Sequence, residues 1–306
     1  MEHSNTDPVN PNDQNTDRRL IVAILLKTVV ILGELFGGIF SGSLTLVSDA
    51  AHNTGDALSV VLALGARRLS RRPPTLRHTY GFKRAEVIAA LANALLLLAA
   101  IVLIAREAVV RIFHPEPVNQ GIMLTMGLLA LFANAGSALL LRRHDKDDLN
   151  IRGTYLHLAQ DALGSLSVVL AALFVHTRFG PYLDPLASLF VGFIVLRGAI
   201  SLLVETLSTL LEGAPRDLDL NRLAEQINDR FKPSNIHHLH VWEINPGRRL
   251  LTAHISLGSE LDPTAIMALL SHIKEYLHDE WGIDHATLEP ETLLCRQSDL
   301  LGRWTA

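Results

Sequence analysis

Apolar residues run through the first two-thirds of the chain in long blocks rather than in short alternations. A helix needs about 20 apolar residues to cross the hydrocarbon core of a bilayer. Six segments reach that length: roughly 20–40, 44–66, 86–112, 119–141, 155–177 and 183–210. Gly42–Ser43, an Arg-rich stretch at 67–84, His114–Pro117, Arg142–Arg152 and Gly180–Pro185 separate them. The second and fifth segments carry His and Asp inside the apolar pattern, and Pro215 ends the sixth. Beyond it the periodicity changes. Leu218–Phe231 and Pro263–Trp281 have helical spacing, whereas Ile236–Ile244, Leu250–Leu257 and Asp284–Leu293 read as strands. The order α-β-β-α-β predicts a small α+β domain. The expected fold class is therefore a membrane all-α bundle of six transmembrane helices followed by a small cytoplasmic α+β domain.

Four regions follow from that pattern. Residues 1–17 are polar and are expected to form a disordered tail, because they cannot bury a core. Residues 18–213 form the transmembrane domain, 214–294 the cytoplasmic domain and 295–306 a C-terminal tail. The apolar run from Leu20 is too long for the core of a signal peptide.

Charge sharpens the division. The 306 residues are 49% hydrophobic and 19% charged, against about 25% charged in an average soluble domain. Residues 18–213 hold 18 basic and 13 acidic side chains; residues 214–306 hold 9 and 14. This excludes a single soluble globule, a disordered chain and a basic nucleic-acid binder. Seven basic residues lie between 67 and 84 and four between 142 and 152, whereas the alternate connections hold almost none. Basic loops stay on the cytoplasmic side, so six spans place both termini in the cytoplasm. Most of those arginines read as headgroup contacts. Cys295 is the only cysteine, which rules out an intramolecular disulfide, an iron–sulfur cluster and a cysteine zinc knuckle.

The ionisable residues inside the spans carry the chemistry, since each costs at least ~2.5–3.5 kcal/mol to insert. His-x-x-x-Asp-Ala-Leu occurs twice, at 52–58 and at 157–163, each time within a different span. A spacing of four puts each His and Asp on one helix face. His52, Asp56, His157 and Asp161 together supply two imidazoles and two carboxylates, a set that suits tetrahedral Zn²⁺ and also other first-row metals such as Co²⁺. Two carboxylates balance one divalent cation. Without the cation at least one group takes up a proton, so metal and proton compete for the same ligands. The structural alternative is a polar clamp between two helices. Asp49 and Glu34 are accessory candidates, either for the ion path or for pairing with a neighbour. Asn93 and Asn134 read as interhelical hydrogen bonders. Asp184-Pro185 reads as an N-cap followed by Pro at the first helical position.

These residues resemble a known family. Ser43-Leu44-Thr45-Leu46-Val47-Ser48-Asp49-Ala50-Ala51-His52-Asn53 with Asp56 is similar to the second-helix signature of the cation diffusion facilitators. Tyr80-Gly81-Phe82-Lys83-Arg84-Ala85-Glu86, His157-x-x-x-Asp161 and Asp184-Pro185-x-x-Ser188 resemble their third, fifth and sixth helices. His237-x-x-His240-Val241-Trp242 and Thr252-Ala253-His254 resemble their cytoplasmic domain. The likeness runs from about residue 20 to 293, in motif order, and looks nearest to the cobalt–zinc–cadmium resistance and zinc transporter branch. It implies a homodimeric metal/proton antiporter with a metallochaperone-like, ferredoxin-like C-terminal domain. It also suggests a charge pair between Arg84 and Glu212. Two features depart from the family. His78 is the one ligand-type side chain between 67 and 84, and the long His-rich loop of many eukaryotic members is replaced by His144, Asp145, Asp147 and Asp148. The second departure points to a bacterial plasma-membrane protein.

Seven of the 14 histidines follow residue 213. Strand alternation sets His240 and His254 nearly opposite each other around the turn at 246–247, with His285, Glu289 and Glu291 facing the same way. His240, His254, His285 and Glu291 thus form a candidate second metal site with a regulatory role; His237 falls on the other face by parity, although the motif includes it. The alternative is a polar sheet surface or a dimer interface without metal. No phosphate-binding Gly-x-x-x-x-Gly-Lys loop is present, so no ATP hydrolysis is expected. The leading reading is an antiporter, not an enzyme, exporting Zn²⁺ as protons enter. The alternatives are a membrane metal sensor signalling through its cytoplasmic domain and a membrane metalloenzyme. Four protein ligands and the absence of His-Glu-x-x-His disfavour the enzyme.

Overall fold

The computed structural model describes residues 27–142, 149–233, 235–257, 262–291 and 299–301, without the side chains of 140–142 and 149–156. The tail expected at 1–17, the connection residues His144, Asp145, Asp147 and Asp148, and Cys295 lie outside the described residues. The fold comprises two compact units. One gathers described residues 27–58 and 95–200; the other gathers 59–94 and 201–301.

Helices occupy the described part of all six apolar segments. These are α1 (27–41), α2 (Leu44–Ser70), α3 (Ala85–Phe113), α4 (Gln120–Arg142), α5 (Leu149–Phe174) and α6 (Gly180–Leu210). Among the described residues four helices are long and apolar enough to cross a membrane, namely Ala85–Phe113, Gln120–Leu139, His157–Phe174 and Gly180–Leu210. The described part of α1 is too short to qualify, and α2 carries Asp49, His52, Asn53, Asp56 and two arginines. Large apolar side chains such as Leu103, Phe132 and Phe193 point outward, as a lipid-facing surface requires. In the first unit α4 packs on α5, and Leu46, Met123, Val168 and Ala172 are buried together. Gly127 makes this approach work, since a Cβ there would sit 2.8 Å from Val168 Cγ1. Small residues let membrane helices pack backbone to backbone, where no hydrophobic effect drives association.

Asp184 departs from its expected role. Helix α6 starts at Gly180, and Pro185 lies inside it. The buried carboxylate of Asp184 turns instead to the start of α2. It accepts from Ser43 Oγ at 2.6 Å, Leu44 N at 2.7 Å and Thr45 N at 3.1 Å, while its carbonyl accepts from Thr45 Oγ1 at 2.7 Å. The first N–H groups of any helix lack partners within the helix, and an anion there also meets the positive end of the helix dipole. Asp184 is thus an N-cap supplied in trans, which a local reading of the sequence could not see.

In the second unit the expected order α-β-β-α-β is present as α7 (Leu220–Phe231), β1 (Asn235–Glu243), β2 (Arg249–Ser256), α8 (Pro263–Trp281) and β3 (Ile283–Glu291). Asp219 caps α7 through the N–H groups of Asn221 and Arg222. Asp262 with Pro263 starts α8, and Gly282 ends it at φ 62. The sheet order is β1-β2-β3, antiparallel then parallel. Its buried face is Leu239, Val241, Leu251, Ala253, Ile255 and Leu288, packed with Leu223 and Ile227 of α7 and Ile273 and Leu277 of α8.

If Asp184 anchors α2, Asp184→Ala leaves three donors without an acceptor, at a cost of about 1–3 kcal/mol. Thermal unfolding in detergent should shift down for Asp184→Ala and by less for Asp184→Asn. Unchanged unfolding of the alanine variant would remove the anchoring role.

Candidate metal centres

One helical turn separates His52 from Asp56 on α2, and one turn separates His157 from Asp161 on α5. The two pairs face each other crosswise. His157 Nε2 lies 3.3 Å from Asp56 Oδ2, and His52 Nε2 lies 3.5 Å from Asp161 Oδ1. Within each helix the His–Asp separations are 3.9 Å and 3.7 Å. Ligand atoms on a tetrahedron with ~2.0–2.1 Å bonds stand roughly 3.3 Å apart. The two cross-helix contacts are close to that spacing, whereas His157 stands outside the group of three whose ligand atoms converge. Ligand atoms of His52, Asp56 and Asp161 lie within 4.8 Å of one another, and Asp161 is fully buried. His52 Nδ1 and Asp161 Oδ1 are buried without a hydrogen bond.

The sequence reading gave no role to one member of this cluster. Lys27, the first described residue of α1, donates to Asp161 Oδ2 at 3.0 Å and lies 3.4 Å from His157 Nε2 and 3.9 Å from Asp56 Oδ2. Its signal in the sequence was a cation inside an apolar span, overlooked because no motif contains it.

Asp49 and Glu34 join hydrogen-bonded chains beside the four residues. Ser165 Oγ donates to Asp49 Oδ2 at 3.2 Å, and Asn134 Nδ2 donates to Ser165 Oγ at 3.2 Å. Gly164 makes room for that carboxylate, because a Cβ there would stand 2.7 Å from Asp49 Oδ1. Asn53 Nδ2 donates to the buried Glu34 Oε2 at 2.9 Å.

The sheet holds a second cluster, and its members differ from the expected set. His237, not His240, pairs with His254 across β1 and β2. The register shifts between His237 and His240, and His238 adopts φ 48. That β-bulge inserts one residue and reverses the parity of the strand, so His237 and His240 share a face although three residues separate them. His240 is set opposite Thr252, two positions along from His254. β3 runs parallel to β2 and pairs His285 with Leu250, four positions from His254 and roughly 13 Å along the strand. The residues brought together are His237, His254 and Glu291. His237 Nε2 lies 3.1 Å from Glu291 Oε2, and His254 Nδ1 lies 2.7 Å from Glu291 Oε1. The ring of His238 stands 4.8 Å from that of His254. His237 is buried, with no hydrogen bond to either ring nitrogen. Burial, the largest cause, pushes its imidazole below the ordinary range; the Glu291 carboxylate opposes this, and His254 and His238 add to it. The neutral imidazole favoured there is the metal-ligating form. In the same unit Arg84 Nη2 lies 2.9 Å from Glu212 Oε1, an exposed pair of small energetic weight.

The profile of the cation efflux transmembrane domain matches residues 20–211. The chain belongs to the cation diffusion facilitator family. Within the family it groups with the zinc, cobalt and cadmium branch. It is 38% identical over 299 residues to the zinc transporter ZitB of Escherichia coli strain K12, covering 97% of this chain and 94% of ZitB. The metal cation efflux system protein CzcD of Cupriavidus metallidurans is 32% identical over 290 residues, covering 95% and 91%. The cadmium, cobalt and zinc/H⁺-K⁺ antiporter of Bacillus velezensis is 34% identical over 275 residues, covering 89% and 88%. Family membership and the apolar helices make this chain a membrane-embedded transport protein rather than an enzyme.

The buried His237 generates a pH dependence. Its folded-state pKa is depressed, so the unfolded chain, with an ordinary value of about 6.5, binds the proton more readily. The stability it contributes is complete above about pH 6.5 and is lost as pH falls through and below that value. Metal-free protein should unfold at a lower temperature at pH 5.5 than at pH 7.5, and His237→Gln should flatten that slope. Parallel slopes for the two proteins would contradict the burial argument.

Proposed function

We propose that this chain exports Zn²⁺, with Co²⁺ and Cd²⁺ as further cargo, from the bacterial cytoplasm in exchange for protons. The cargo binds His52, Asp56, His157 and Asp161. The observation that carries this reading is the crossed approach of the two His-x-x-x-Asp pairs, with cross-helix separations of 3.3 and 3.5 Å. Two imidazoles and two carboxylates fit Zn²⁺ in number, softness and charge. When the ion leaves, two like charges remain close together, and proton uptake relieves them. That competition couples outward metal movement to inward proton movement. The names of the zinc transporter and antiporter relatives support both cargo and coupling.

The reading includes six spans in the inner membrane with both termini cytoplasmic, and a homodimer. A soluble domain cannot carry an ion through the bilayer. Zn²⁺ at His237, His254 and Glu291 would therefore act as a regulatory ligand, stabilising one of two conformations.

The decisive experiment is zinc uptake into reconstituted vesicles at two imposed pH gradients. Wild-type protein should transport faster with the steeper gradient. Asp56→Ala and Asp161→Ala should each abolish transport while still inserting, since each carboxylate is both ligand and balancing charge. Near-normal transport by either variant would refute the site. A gentler change tests the role of imidazole. His52→Asp replaces a borderline-soft nitrogen with a carboxylate, which Mn²⁺ accepts readily. Competitive uptake should show Mn²⁺ or Cd²⁺ gaining relative to Zn²⁺. An unchanged metal ranking would mean that His52 does not touch the cargo.

A further inference from the structure

The transport site contains a charged group that metal coordination does not use. The Lys27 ammonium approaches three of the four cargo-binding side chains: Asp161 Oδ2 at 3.0 Å, His157 Nε2 at 3.4 Å and Asp56 Oδ2 at 3.9 Å. We propose that Lys27 is a tethered cation that occupies the site between cargo ions, so that each metal ion must displace it. The proposal rests on the transport reading above and adds a residue that sets affinity and release.

The argument is one of shared space and shared lone pairs. An ammonium has three donors and no acceptor. Wherever it contacts the cluster it uses the oxygen or imidazole lone pairs that a metal ion would take. The conflict is sharpest at His157, whose Nε2 has a single lone pair and cannot bond a metal while it accepts from the ammonium 3.4 Å away. Two cations so close repel strongly wherever water is sparse. Occupancy by metal and by Lys27 is therefore mutually exclusive. The two do not match in charge. One ammonium offsets one of the two carboxylates, whereas a divalent ion offsets both, so metal wins once it is available. The flexible four-carbon stem and the 29% exposure of the Lys27 side chain leave the displaced ammonium room to swing away from the cluster.

The arrangement also links three helices. Lys27 is on α1, Asp56 on α2 and His157 and Asp161 on α5, so the empty site is clamped across all three. Loading replaces the clamp from α1 by coordination between α2 and α5. A transporter needs binding weak enough for the ion to leave, and an internal competitor at high effective concentration supplies that weakness.

The test is Zn²⁺ binding at fixed pH to purified full-length protein in nanodiscs. A background of His237→Ala and His254→Ala reports the membrane site alone. Lys27→Met keeps the length and apolar stem and should bind Zn²⁺ about tenfold tighter or more, or about 1.4 kcal/mol per tenfold. Lys27→Arg keeps the charge and should stay near the wild-type affinity, a rescue that loss of packing alone would not give. In vesicles Lys27→Met should half-saturate at lower Zn²⁺ and turn over more slowly at saturation. Lys27→Gln provides a second neutral variant should the methionine variant misfold. Unchanged or weaker binding in the neutral variants overturns the proposal. Wild-type binding by Asp161→Ala would overturn the transport site itself, so the two failures are separable.

Discussion

Two carboxylates from different helices, Asp56 and Asp161, share one small volume inside a helical membrane domain, and their charge must be matched. Asp161 is fully buried, so water cannot do it. The side chains around them answer that constraint in different ways. In the proposed transport site His52 and His157 offer nitrogen lone pairs to an ion that brings two positive charges. Lys27 brings one charge of its own. An unmatched buried charge costs several kcal/mol, enough to make an empty, unprotonated cluster unfavourable.

The scaffold around the cluster follows from the same requirement. α2 must present His52 and Asp56 at a fixed height, and Asp184 holds its first turn through three hydrogen bonds from another helix. Gly164 lets α5 approach closely enough for Asp49 to sit beside it, where Ser165 donates to the carboxylate and Asn134 donates in turn to Ser165. Polar residues within the spans are thus arranged in two tiers, the clustered His and Asp side chains and the groups that satisfy the polar atoms behind them. The outward faces remain apolar, because lipid offers no partner for a polar group.

The sheet of the second unit reaches a similar donor set by another route. A single bulge at His238 brings His237 onto the face of His254, and the parallel third strand delivers Glu291 to the same end. The soluble core beneath is conventional, with two capped helices covering one face of three strands. The buried His237, whose imidazole is pushed below its ordinary range by burial, and the left-handed His238 beside it both lie at the candidate cluster. Strain and unsatisfied polar atoms concentrate at functional sites because a compact core has no other use for them.

Much of this was legible in the order of residues. Apolar run length located helices α2 to α6, with α5 starting six residues before its expected position, since hydrocarbon thickness imposes a length that a linear scan can measure. The His-x-x-x-Asp pairs were legible because a spacing of four fixes a shared helix face whatever the surroundings. Strand spacing located β1 and β2 themselves, although parity put His237 on the wrong face of β1. The failures share a cause as well. Asp184 caps a helix about 140 residues away, Lys27 meets partners about 130 residues away, and β3 pairs in parallel with a strand beyond α8. The bulge at His238 changes parity without any local mark in the sequence. Local periodicity reports what one helix or strand presents, whereas register, trans-capping and charge pairing depend on which elements meet, and only the packed chain fixes that.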